Sequence, residues 1–144
     1  MAAAKAREGS NAERQIGCVV VTPESTVLET TANFVALPLF DGEIGIAPLH
    51  SPMVGRLGFG EMRVVQPEAT RRYYVDGGFV QVVENRVTVL TPRAIPAAEV
   101  DPEVAAEQLA SLRTRTAHGD PQIDQRDRQI RQARAQIHVA RRAE

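Results

Sequence analysis

Between positions 16 and 90 large apolar residues recur at alternate positions, and turn-forming residues cut the alternation about every 8 to 12 residues. That pattern predicts a small all-β sandwich or barrel of short strands. Residues 16–22 end at Pro23, 27–30 precede Asn33, and 34–39 place Val35, Leu37 and Leu39 on one face, with Pro38 marking an edge or a bulge. Residues 54–59 are interrupted by Gly55 and Gly58, with Gly60 behind them, which predicts bends or close backbone approach. Residues 61–66 turn Met62 and Val64 inward and Arg63 outward, 67–70 form a turn, and 71–75 run into Asp76-Gly77-Gly78, which reads as another turn. Residues 79–83 pair with 86–90 across Glu84-Asn85, because Asn tolerates the left-handed conformation of a tight hairpin and Val80 and Val82 then face Val87 and Val89.

Residues 41–53, DGEIGIAPLHSPM, turn, run extended and turn again. Asp41-Gly42 suit a tight turn, Ile44 and Ile46 alternate with Gly45 and Ala47, and Pro48 and Pro52 lack the donors a central strand needs. The segment 48–52 is therefore expected to be a rigid surface loop that presents His50 and Ser51. It reads as a docking surface or as an ordinary strand and loop.

After position 90 the period changes. Residues 91–100, TPRAIPAAEV, carry two prolines and no clean repeat, which sets a linker at 93–100. Asp101 suits an N-cap, Pro102 the first helical position and Glu103 the first turn, and Ala105, Leu109 and Leu112 follow at helical spacing. In His118-Gly119-Asp120-Pro121, Gly119 reads as the C-cap of the first helix and Asp120 as the N-cap of a second. Ile123, Ile130 and Ile137 recur every seven residues along that second helix, with Arg126, Ala133 and Ala140 three positions further on, so its apolar seam is thin and its docking weak. The hairpin is either permanently packed or a two-state element. Arg126, Arg128, Arg131 and Arg134 follow Asp120 and Asp124, an order that complements the helix dipole and equally fits a basic end meeting an acidic protein surface. The chain so divides into a flexible lead or short helix at 1–15, a sandwich at 16–92, the linker, and a helical hairpin at 101–144.

Composition narrows the function. A formal charge of −1 with 24% charged residues gives no reason to expect nucleic acid or an anionic bilayer as partner. The arginine-rich helix lies beyond the last aromatic, Phe79, so no ring there can stack on a base. Cys18 is the single cysteine, in an apolar run, and reads as a buried structural thiol. His50, His118 and His138 stand apart from any ligand spacing, no phosphate-binding or nucleophile motif occurs, and no paired acids are placed for catalysis. No catalytic residue and no metal ligand is assigned, and a β-sandwich adaptor that binds proteins through its hairpin is one reading of the whole.

The runs GEIGIAPLHSPM, EMRVV and YYVDGGFVQVVENRVTVLTPRAI, followed by a two-helix tail opening VDPEVAAEQL, resemble the epsilon subunit of F-type ATP synthases over essentially residues 16–142. The resemblance implies a mixed, mainly β chain, an N-terminal sandwich of ten strands followed by a C-terminal α-helical hairpin. It implies a noncatalytic member of the central stalk that touches the gamma subunit, the c-ring and the alpha/beta catalytic head, couples ion-driven rotation to ATP synthesis, and restrains hydrolysis through an extended hairpin. By the same resemblance Glu43, His50 and Pro52 belong to the c-ring-facing end, and the four arginines to the part that approaches beta and gamma. The subunit would sit peripherally on the cytoplasmic face of the bacterial plasma membrane, held there only through the complex. Some members bind ATP through Ile/Leu-Asp-x-x-Arg-Ala, where this chain has Val100-Asp101-Pro102-Glu103-Val104-Ala105. Val104 replaces the arginine, and an alkyl group cannot donate to phosphate, so no ATP or other cofactor is expected.

Overall fold

The alternation of the first 90 residues closes into one continuous sheet whose strands follow the order β2-β1-β7-β6-β5-β3-β4, with β8 added on β6. The protein, a computed structural model, is described over residues 14–143. The expected lead or helix at 1–15 lies, but for its last two residues, outside the described ones. The strands are β1 (Ile16–Val21), β2 (Thr26–Ala32), β3 (Phe34–Leu39), β4 (Gly42–Ile46), β5 (Met53–Val65), β6 (Thr70–Val83), β7 (Arg86–Leu90) and β8 (Ala94–Pro96). Every pairing is antiparallel except that of β1 with β7.

The sequence breaks β5 and β6 at their glycines, but the structure runs both straight through. Their ladder extends from Met53↔Val82 to Val65↔Thr70 and skips only Gly58 opposite Gly77. At that point the sheet folds over, so each long strand serves both layers, and eight strands do the work expected of ten. Gly78 shows why the position is glycine: its φ is +106°, and a Cβ would collide with the carbonyl oxygen of Leu90. Asp76-Gly77-Gly78 is thus a bend inside a strand and not a turn between two. Likewise the β3–β4 turn falls at Phe40-Asp41, because Gly42 already pairs with Leu39.

Two apolar clusters result from the strand period. Ile16, Cys18, Val20, Val35, Leu37, Met62, Val64, Val75, Val80, Val82, Val87 and Val89 are buried together between the layers. Tyr73 and Val75 face that core, so Tyr74 faces the opposite way, where Ala97 and Val139 bury it in a second cluster. The expected linker is therefore structured: β8 pairs with β6, and a 3-10 turn at Ala97–Glu99 places Ala97 in the second cluster.

The hairpin comprises α1 (Pro102–Thr114) and α2 (Asp120–Ala143). Asp101 caps α1, its Oδ1 accepting from the backbone of Glu103 at 2.9 Å and Val104 at 3.3 Å. The other two expected caps are displaced. Helix α1 ends at Thr114, whose hydroxyl donates back to the Ser111 carbonyl at 3.1 Å, four residues short of the expected stop. Gly119, at φ +80°, accepts from Ile123 N at 3.1 Å, so it opens α2 instead of closing α1, and Asp120 is already inside the first turn. Nor are the isoleucines the buried seam. Ile123 is exposed and Ile130 and Ile137 are half-buried, whereas Ala133, Val139 and Ala140 are buried, because small side chains let α2 lie close to its neighbours.

Candidate docking surfaces

Residues 47–52 join β4 to β5 and are held in one shape by local bonds. His50 N donates to the Ala47 carbonyl at 3.2 Å, and the His50 ring Nδ1, which can only donate to a carbonyl, reaches Ser51 O at 2.7 Å. Leu49 adopts φ +64°, and its N–H is satisfied by Asn85 Oδ1 at 2.8 Å. Asn85 in turn donates from Nδ2 to the Gln15 carbonyl at 2.8 Å. One side chain at the β6–β7 tip thus ties together the loop, the hairpin turn and the entry of the chain. Sequence reasoning saw Asn85 only as a turn former, since nothing in the pattern reveals a bond spanning 36 residues.

His50 and Pro52 share this loop, but Glu43 does not. Glu43 lies on β4 opposite Pro38, and its carboxylate is drawn along the sheet to Arg63 Nη2 at 3.1 Å. It belongs instead to a line of charges on the outer face of β5 and β6. Glu61, with a side chain 7% exposed, accepts Arg72 at 3.0 Å on Oε1, with Arg142 of α2 at 3.7 Å and Arg63 at 3.8 Å from the same oxygen. Its Oε2 is buried without a partner.

A second polar contact fastens α2 at the fold of the sheet. Asp76 Oδ1 accepts from the Tyr74 hydroxyl at 2.7 Å and from Gln132 Nε2 at 3.0 Å, and Arg93 Nε stands 3.9 Å from Oδ2. Burial pushes the Tyr74 phenol well above its ordinary range, and the Asp76 hydrogen bond and charge push it further the same way. Sequence reasoning had no signal for this cluster, because it took Asp76 for a turn residue.

The four arginines of α2 singled out in the sequence part company. Arg126 turns inward, donating to the Arg115 carbonyl at 3.2 Å and so closing the hairpin. Arg128 and Arg131 lie 5.9 and 5.8 Å from the centre of the Phe59 ring, and Arg134 lines the same cleft. Between the helices and the 3-10 turn a separate cavity of about 630 Å³ is lined by Arg93, Val100, Asp101, Val104, Arg115 and Gln132, among others. Among the described residues no group of His, Cys, Asp and Glu could hold a metal, and no helix is long and apolar enough to cross a membrane.

The outer face of the other half of the sheet interleaves apolar side chains with Arg56, Gln81 and Thr88. Arg56, Phe79 and Leu90 stand side by side across β5, β6 and β7, with Val54 next along β5. Val54, Phe79 and Leu90 are 75%, 57% and 51% exposed.

A folded-over β-sandwich with apolar side chains exposed on its outer face and a separately cored helical hairpin is an architecture that known proteins share. The family described as ATP synthase, Delta/Epsilon chain, beta-sandwich domain matches residues 15–97. The ATP synthase epsilon chain of Rhodopirellula baltica is 45% identical over 126 residues, covering 88% of this chain and 98% of that one. In fold, the chain resembles a component of the Euglena gracilis mitochondrial ATP synthase, seen with OSCP, F1 and c-ring, at a TM-score of 0.76 and 22% identity, covering 90% of this chain and 81% of that one. It also resembles one from the central stalk and c-ring of the Tetrahymena thermophila enzyme, at a TM-score of 0.69 and 11% identity, covering 86% of this chain and 95% of that one. The chain belongs to the ATP synthase epsilon chain family. It is accordingly a noncatalytic subunit, and its work is mechanical or regulatory.

Proposed function

We propose that the sandwich is the rigid coupling piece of a central stalk, seated on the gamma subunit and the c-ring, so that ion-driven rotation reaches the alpha/beta head as ATP synthesis. The exposed cluster of Val54, Phe79 and Leu90, interleaved with Arg56, Gln81 and Thr88, carries this reading. It lies on the half of β5 and β6 across the bend from Tyr74, where Val139 of α2 packs, and such a patch on a folded domain marks a protein interface. It suits gamma, and the braced loop of His50 and Pro52 suits the c-ring. Glu43, held by Arg63, supports the sheet beside that surface and is not assigned to it. Placement on the cytoplasmic face of a bacterial plasma membrane, through the complex alone, is part of the proposal and is supported by the likeness to a bacterial epsilon chain.

The hairpin is the regulatory part. Its own small cluster lets it leave the sandwich without opening the core, and once extended its arginines meet the acidic surface of the head and restrain hydrolysis. Deleting residues 101–144 should leave assembly with gamma and ion-driven ATP synthesis intact while raising ATP hydrolysis. A truncated chain that no longer binds gamma would contradict this division of labour.

The inter-helix cavity is proposed to take ATP weakly or not at all. Position 104 presents an alkyl group, and neither Arg93 nor Arg115 replaces a donor at that place on α1. Calorimetric titration should show no low-micromolar affinity, and such an affinity would overturn the point.

A further inference from the structure

The docked hairpin closes a cleft of about 470 Å³ at the fold of the sheet, separate from the inter-helix cavity. Four guanidiniums line it: Arg56 from β5, and Arg128, Arg131 and Arg134 from α2. Arg56 lies 4.9 Å from the centre of the Phe40 ring, and Arg128 and Arg131 share the Phe59 ring. Stacking on a ring leaves the edge of a guanidinium, which carries its N–H donors, free to point elsewhere. Gly58, Gly77 and Gly78 complete the lining with Leu39, Leu57 and Pro92, none of which bears a charge.

The charge in this cleft is unbalanced. Among the described residues none of the four arginines is ion-paired with an acid. Asp76 is the single carboxylate in the lining, and it is already engaged by Tyr74 and Gln132, with Arg93 facing its second oxygen. Docking therefore brings the cations of α2 up to Arg56 and works against their mutual repulsion. A multivalent anion in the cleft reverses the sign of that contribution.

We propose that the cleft is a binding site for a phosphoryl oxyanion, free phosphate or pyrophosphate, shared between sandwich and hairpin, and that its occupancy holds the hairpin docked. Arg56 separates this from any role of the α2 arginines toward an acidic partner, since Arg56 stays with the sandwich when the hairpin leaves. The ligand binds only the docked form, so occupancy suppresses opening by the factor one plus ligand concentration over Kd. The affinity is in the millimolar range and falls with salt, because the arginines are open to solvent.

The test is hydrogen exchange of residues 120–143 in the isolated full chain, with sodium phosphate, pyrophosphate or ADP against potassium chloride of equal ionic strength. Pyrophosphate should protect more than phosphate, slowing exchange about tenfold at ten times its Kd. ADP, carrying the same groups, should protect no more than pyrophosphate. Arg56→Gln and Arg131→Gln should each weaken the effect about tenfold or more, with part of it regained in Arg56→Lys. Arg115→Gln, in the inter-helix cavity, should leave it unchanged. Equal protection by potassium chloride, protection by ADP alone, an unaltered response in Arg56→Gln, or loss in Arg115→Gln would each overturn the proposal. Arg131→Gln gives an independent reading on the hairpin side should Arg56→Gln perturb the sandwich.

Discussion

Asn85 combines three tasks in one side chain. It accepts φ +59° at the β6–β7 tip, caps Leu49 N and holds the Gln15 carbonyl. Asn85→Gly keeps the backbone freedom and loses both bonds, while Asn85→Ala loses all three. Urea unfolding should therefore rank the variants, Gly costing about 1 to 2 kcal/mol and Ala about 1 kcal/mol more. A costless Asn85→Gly would mean that the two bonds contribute nothing, and equal losses in Gly and Ala that the left-handed backbone does not. Cys18 allows a second prediction. Burial raises its thiol from 9.0 to about 11. The unfolded chain ionises first, so stability is whole below about pH 9 and falls between 9 and 11 by on the order of 2 to 3 kcal/mol. The raised Tyr74 phenol carries the decline higher still. Cys18→Ala should abolish the first part of that slope. At this scale the sequence disclosed the turn-forming role of Asn85 and the buried thiol, both local properties. It could not disclose what Asn85 binds, because that depends on which loops the fold brings to the tip.

Elements were legible where their signal was periodic. The β6–β7 hairpin has the register that its valines and Glu84-Asn85 demand. Strands β5 and β6 were misjudged because glycine punctuates a sequence in the same way whether it ends a strand or lets one fold over. On α2 the heptad of isoleucines drew attention away from Ala133, Val139 and Ala140, where close approach and not bulk decides burial. The attachment of α2 rests on polar groups that period cannot show. Asp76→Ala removes the acceptor of both Tyr74 and Gln132, and the buried phenol loses the partner for its proton. Docking of the hairpin should weaken by about 1 to 3 kcal/mol, seen as faster proteolysis between the helices with sandwich unfolding little changed. Unchanged cleavage would exclude Asp76 as a fastening point. Asp101→Ala should fray α1 by about 0.5 to 2 kcal/mol, read as lost helical signal in the same experiment.

For the whole molecule, the decisive arrangement is two apolar clusters on opposite faces of one folded sheet. The larger holds the sandwich together without the hairpin, and the smaller holds the hairpin on with Tyr74, Ala97 and Val139. Partly open ion pairs such as Arg142 with Glu61 add an attachment that salt weakens. A stiff coupling piece and a detachable regulator can therefore share one chain. Native-state hydrogen exchange across the full chain tests this most directly. The account predicts that amides of α1 and α2 exchange through an opening several kcal/mol below global unfolding, while those of β1, β6 and β7 exchange only when the sandwich unfolds. A single opening free energy common to helices and strands would contradict it.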